Sequence, residues 1–244
     1  VLYLTLGCSL FTQSAGKLAA ALRDHDLDTA RKLMGDWEGR SIADFNAVSL
    51  TKIGMEKLLL CAHRQFFGVF FWFVALSAVG LGPAGAVLSR LAEFGGRYRA
   101  VKSKPLEAPA NERLMQRSQT WFSLIDHIPA RLTAFGFAIV GSFEEAVAGW
   151  RRDAGLWLHP NEGVLLAAAA GALGVQLGGQ AAPGVTPDRS KTFDVGSSED
   201  AGAAVGSTPG APPQLGHLQS LVGLVWRSVV LWMLLVALLS LANV

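Results

Sequence analysis

The residues with the most chemical potential lie in the run Asp126-His127-Ile128-Pro129-Ala130-Arg131. An arginine that opens an apolar helix must be solvated or paired. Asp126 is close enough in sequence to be that partner. Arg131 could equally grip a phosphate or carboxylate through two parallel N–H bonds. Both readings stay open on the residues alone. The pair His63-Arg64 offers a second basic site at the entry to an apolar run. It reads as an interfacial basic pair or as a contact for an anionic substrate. The alternating acids of Asp24-His25-Asp26-Leu27-Asp28 are better explained as helix capping at a turn than as a metal loop. Glu144-Glu145 reads as a solvated helix turn. Cys8 and Cys61 lack the spacing of a metal site or redox pair and read as small buried hydrophobes. There is no phosphate-binding glycine loop, dinucleotide fingerprint, nucleophile elbow or zinc-protease helix.

The elements that must position these groups point to lipid. Of 244 residues, 51% are hydrophobic and only 16% charged, against roughly 25% charged in soluble domains. Mean hydropathy is +0.35. The net charge of +2 and the absence of a basic tail give no reason to expect nucleic acid. Lysine and arginine fall mainly in two blocks, Lys17 to Arg64 and Arg90 to Arg131. The second has more bases than acids and is the better cytoplasmic candidate.

Residues 1–11 are apolar but short of the roughly 20 that a spanning helix needs. With no Met and no basic flank, they read as the end of a hydrophobic segment whose start is missing. Residues 13–36 predict amphipathic helices, the second starting at Asp26 as N-cap. Ser41 and Asp44 resemble a capping box before a further helix. Residues 66–92 predict a spanning helix broken near Gly80-Leu81-Gly82-Pro83. Residues 97–118 read as a loop outside the membrane. Residues 128–143 predict a short helix, re-entrant or crossing, with Pro129 in its first turn. Residues 163–179 are small and apolar, and their glycines would admit a close neighbour. Residues 180–217 predict a disordered Gly/Pro/Ser/Ala linker. Residues 218–244 carry the clearest transmembrane helix, with Arg227 snorkelling near one end. The expected fold is all-α: a polytopic integral membrane bundle with amphipathic helices outside the bilayer. Its expected division is a membrane domain over 1–179, the linker, and the last helix.

Several of these segments together resemble the CobD/CbiB family. Ile128-Pro129-Ala130-Arg131-Leu132-Thr133-Ala134 resembles its PARLTA signature, and Asp26-Leu27-Asp28-Thr29-Ala30-Arg31 with Gly39-Arg40 resembles its DLxxAR…GR stretch. Glu56 stands sixteen residues before Trp72, as the family's VE stands before its PLFW. Gly82-Pro83-Ala84-Gly85-Ala86 is similar to a family turn, and Gly171-Ala172-Leu173-Gly174-Val175-Gln176-Leu177-Gly178-Gly179 to its GALGVxLGG segment. The resemblance covers roughly residues 1–179. It implies a multi-pass protein of the bacterial inner membrane. It also implies ATP- and magnesium-dependent amidation of adenosylcobyric acid with aminopropanol or its phosphate, hence a corrinoid ligand. The family's ENxxD would fall at Leu60, Cys61 and Arg64, so its acidic set is reduced here to Glu56, Glu93 and Asp126. On this resemblance Glu56 and Asp126 are the expected catalytic carboxylates and Glu93 the expected metal ligand. Arg131, His63 and Arg64 are the expected ligand-binding residues. The run His63 to Phe73 also looks like AmpE-type membrane proteins, which implies a non-catalytic signalling alternative linked to β-lactamase regulation.

Overall fold

The computed structural model describes residues 13, 15–38, 45–80, 84, 87, 91, 109–157, 159–179 and 207–242. Its architecture is an all-α bundle in which long apolar helices surround one short buried helix. Helix α1 (15–23) and helix α2 (Leu27–Glu38) form an amphipathic hairpin. The turn between them needs His25 in the left-handed region, at φ 54°. Asp26 caps α2, one carboxylate oxygen accepting from the Thr29 amide at 3.0 Å and the other from its hydroxyl at 2.6 Å. The expected N-cap is therefore present. Leu18 and Met34, both fully buried, meet α3 at Gly54, where there is no side chain to obstruct them.

Helix α3 (Ala47–Ala62) starts at Asn46, whose side chain accepts from the Ser49 amide at 2.8 Å. The Ser41–Asp44 box proposed for this start lies outside the described residues. At its far end α3 passes into one π-helical turn, His63–Phe67, and then into α4 (Gly68–Ala78). Together they form one run over Ala47–Ala78 that is long and apolar enough to cross a membrane. The predicted span over 66–92 is thus displaced toward the N-terminus. The helix stops where expected, in a turn with Gly80 at φ 80°. It starts earlier because Lys52, Glu56, His63 and Arg64 meet partners inside the protein and cost less than exposed charges would.

Helix α5 (Pro109–Val140) corrects two further expectations. Residues 109–118, read as loop, are helical, and Pro129 lies inside the helix rather than in its first turn. Proline removes only the bond to the carbonyl four residues back, and packing holds the rest. Its segment Thr120–Val140 is also long and apolar enough to span. Counting apolar residues between charges made it look short. The charges at Asp126 and Arg131 do not end the helix because both are bonded.

Helices α6 (Phe143–Asp153) and α7 (Pro160–Leu173), joined through a 3-10 turn (Ala154–Leu156), form an antiparallel hairpin. Gly149 lies against Ala167 and Gly171 against Glu145, so close that a Cβ at either would strike the opposing backbone. The expectation of close approach holds at Gly171, whereas Gly174 serves as the left-handed cap, at φ 66°. Residues Asn161 to Ala170 of α7 are all buried. Fourteen residues rise only about 21 Å at 1.5 Å each, so α7 is a buried core helix and not a span.

The predicted linker is ordered in its last part. Residues 207–211 lie along 174–178, with Gln176 N–H donating to Ala211 C=O at 2.9 Å and Thr208 N–H to Leu177 C=O at 2.8 Å. Thr208 is buried. Small and proline-rich sequence packs here because the partner strand supplies its backbone bonds. Helix α8 (Leu215–Ala242) follows and contains the third candidate span, Leu215–Leu239. Arg227 is well inside this helix, not near an end, and bonds back to Gly223 C=O at 3.2 Å. One face of α8 packs on the core through Leu221, Leu224 and Val225, and Trp232 sits over Gly136 of α5. The other face exposes Val230, Leu234 and Leu238, the last by 65%. An apolar surface on that scale belongs in lipid.

Candidate functional site

Among the described residues, the buried polar groups that reach beyond their own segment gather at two places along α3 and its π-turn; Thr51, Asp153 and Ser228, also buried, bond within their own helices. The first is near the middle of α3. Glu56, only 4% exposed, accepts the Gly178 N–H at 2.6 Å. Lys52, one turn earlier, donates to Gly178 C=O at 2.7 Å. Residues four apart share a helix face, so the two side chains grip one residue of the turn after α7. Gly178 itself has φ 77° and bridges to Ser207 of the strap. Glu56 was expected to be catalytic. In the structure its Oε1 is held by a backbone amide.

The second place is the π-turn. An inserted residue there re-aims successive side chains, and such bulges recur at functional sites. His63, 1% exposed, points to α5. Its Nε2 lies 2.9 Å from Asp126 Oδ1 and its Nδ1 3.0 Å from Thr133 Oγ. Thr133 Oγ also lies 2.8 Å from Pro129 C=O. Two proton arrangements satisfy this geometry. In one, Thr133 donates to Pro129 C=O and accepts from Nδ1–H of a doubly protonated ring, whose Nε2–H donates to Asp126. In the other, the neutral ring accepts from Thr133 at Nδ1 while Nε2–H donates to Asp126. In both, Nε2–H faces the Asp126 carboxylate.

Arg64 points to α7 and forms a close ion pair with Glu162, Nη2 to Oε1. Glu162 lies in the first turn of α7, where the helix dipole favours an anion. Its other oxygen, Oε2, is buried with no hydrogen-bond partner. An unmet buried acceptor costs about 1–3 kcal/mol, so it requires an explanation.

Arg131 was expected to pair with Asp126. Five residues at about 100° each turn them about 140° apart on α5, and they face different neighbours. Arg131 Nη1 donates to His127 C=O at 2.9 Å and to Asn161 Oδ1 at 3.3 Å. Asn161 in turn donates to Ser123 C=O at 2.8 Å. Among the described residues no bond goes to Arg131 Nε or Nη2, which leaves one edge of the guanidinium uncommitted.

The structure thus brings His63, Arg64, Asp126 and Arg131 to one junction of the π-turn, α5 and α7, and sets Glu56 apart. Glu93 lies outside the described residues. Thr133, Asn161 and Glu162 were missed by sequence reasoning. A glutamate opening an otherwise apolar helix was the available signal, since it demands a buried partner just as Arg64 does. Among the described residues no three His, Cys, Asp or Glu side chains converge to hold a metal ion.

Comparison with known proteins gives the family. The family model for CobD/Cbib protein matches residues 123–200, which include Asp126, Arg131, Asn161 and Glu162. A cobalamin biosynthesis protein CobD from Stutzerimonas stutzeri is 30% identical over 234 residues, covering 96% of this chain and 69% of the relative. The chain belongs to the CobD/CbiB family. Within that family, the CobD of Chromobacterium violaceum is 32% identical over 184 residues, 74% of this chain and 55% of the relative. The CobD of Mycobacterium tuberculosis strain H37Rv is 29% identical, over 71% of this chain and 54% of the relative. The chain therefore spans between about half and just over two thirds of these CobD proteins. No solved structure matches. Nothing in these relatives supports the AmpE-like alternative.

Proposed function

We propose that this CobD/CbiB-family membrane protein serves cobalamin biosynthesis at the amidation of adenosylcobyric acid with aminopropanol or its phosphate. The edge of Arg131 that no described residue bonds carries this reading. A planar guanidinium, held in place by Asn161 at the family signature and open on one side, suits bidentate binding of a carboxylate or phosphate. The reaction joins a corrinoid carboxyl carbon to an amine nitrogen and breaks one carboxyl C–O bond, whose oxygen would leave on phosphate supplied by ATP. The amine must shed a proton as the bond forms, and Asp126 is the outward member of a pair able to take it, with His63 and Thr133 behind it. Arg64 acts through Glu162 rather than on the ligand.

ATP is the expected co-substrate, with magnesium. Among the described residues the side chains do not build a cage for that ion. Magnesium commonly keeps phosphate and water ligands, with one or two carboxylates. The proposed location is the bacterial inner membrane, crossed more than once with lipid as solvent; three helices long and apolar enough to span support it.

The test is product formation by the full-length protein in detergent. It is incubated with adenosylcobyric acid, aminopropanol phosphate, ATP and magnesium, and the amide is sought by mass spectrometry. Wild type is expected to form it, and Arg131→Ala to lose at least about tenfold, the loss of one charge-assisted anchor. No product from folded wild-type protein contradicts the proposal.

A further inference from the structure

We infer that Glu162 recognises the amine of the small substrate, through a hydrogen bond from the ligand's ammonium to Oε2. This rests on the reading of Arg131 as the anion anchor and extends it to the other end of the ligand.

The Glu162 side chain is nine-tenths buried, at 10% exposure. Arg64 holds Oε1, which fixes the carboxylate plane. Oε2 is enclosed, carries carboxylate charge density and meets no donor. Such an oxygen selects for N–H or O–H and rejects carbonyls and anions. A charged N–H donor is the stronger match. Arg64 cannot serve both oxygens at once in this geometry, since only its Nη2 reaches the carboxylate.

The preceding residue ties an anion anchor to the same first turn of α7. Asn161 precedes Glu162 on the first turn of α7 and holds Arg131, whose Nε and Nη2 remain uncommitted among the described residues. An unmet acceptor and an unmet cationic donor edge thus sit at one end of one helix, on the partners of consecutive residues. The complementary ligand has an ammonium and a phosphate joined by a short chain, the chemistry of an amino alcohol phosphate. The closed cluster at Glu56 lacks this property, because its carboxylate is turned to a backbone amide.

The experiment titrates the full-length protein in detergent with two phosphates by calorimetry. One is 1-amino-2-propanol phosphate. The other is propan-2-yl phosphate, which differs only in lacking the amine. Wild type is expected to prefer the amine by about tenfold or more. The paired variant Arg64→Gln/Glu162→Gln removes both charges at nearly constant volume, so it leaves no buried ion unpaired. Thermal unfolding verifies that it is folded. It should bind the two phosphates within about twofold of each other, at the wild-type affinity for propan-2-yl phosphate. Equal affinities in wild type overturn the inference without any variant, and mean that Oε2 serves only water. A preference that persists in the folded paired variant overturns it while leaving the Arg131 reading intact. Binding of neither phosphate by wild type overturns both.

Discussion

Two polar clusters hang from one helix, less than three turns apart, and they are built on opposite rules. Lys52 and Glu56 grip the C=O and N–H of Gly178. Their partners are backbone, so the cluster has one geometry and fastens the turn after α7 to α3. His63 and Arg64 instead meet side chains, Asp126 and Glu162, which belong to two different helices. Among the described residues that cluster keeps polar atoms in reserve: one edge of Arg131 and one oxygen of Glu162. In a bundle this apolar, a charge bonded to backbone marks construction. A charge bonded to a second charge, with atoms left over, marks a place where a ligand can complete the pattern.

Breaking the first cluster should have the larger structural effect. Glu56→Ala leaves the Gly178 amide and the Lys52 ammonium without their carboxylate. It is expected to cost about 3 kcal/mol, read as a lower midpoint of thermal unfolding in detergent. Arg64→Ala should cost less, about 1–2 kcal/mol, since Arg64 is 23% exposed and partly solvated. Adding Glu162→Gln to it should recover part of that loss, a coupling that a double-mutant cycle measures. Arg131→Ala should change the unfolding midpoint least of these three, by about 1 kcal/mol or under for two exposed or long bonds. It should nevertheless abolish binding of anionic ligands.

The smallest effect lies outside both clusters. The hydroxyl of Thr29, and then its amide, hold the Asp26 carboxyl below the ordinary aspartate range. A carboxyl with a depressed folded value stabilises the fold above its unfolded value. That contribution is lost as pH falls through the lowered folded value. As pH falls through that lowered value the start of α2 should fray, seen as faster hydrogen exchange at the Thr29 amide than in Asp26→Asn at higher pH. A Thr29 amide whose protection is unchanged through that range would contradict the capping account.

Much of this was legible in the residues, for identifiable reasons. The all-α membrane character follows from composition, and the last helix from its uninterrupted apolar run. Asp26 as a cap and Gly171 as a close-contact position followed from chemistry that acts over a few residues. The boundaries of the other spans were not legible. Charges that end a helix in lipid do not end one when a partner 63 or 98 residues away neutralises them, as for His63 and Arg64. For the same reason His63, Arg64, Asp126 and Arg131 could be named but not paired. The order at 207–211 was hidden because its stability comes from the backbone of 174–178 rather than from its own side chains.

The central claim is that one cluster holds the fold and the other holds the ligand. The direct measurement is the shift in thermal midpoint of the full-length protein on adding 1-amino-2-propanol phosphate, made on Glu56→Gln and on Arg131→Ala. The account predicts that Glu56→Gln starts from a lower midpoint and keeps the ligand-induced rise, while Arg131→Ala starts near wild type and loses it. A rise retained in Arg131→Ala and lost in folded Glu56→Gln would contradict the account and return Glu56 to the ligand site.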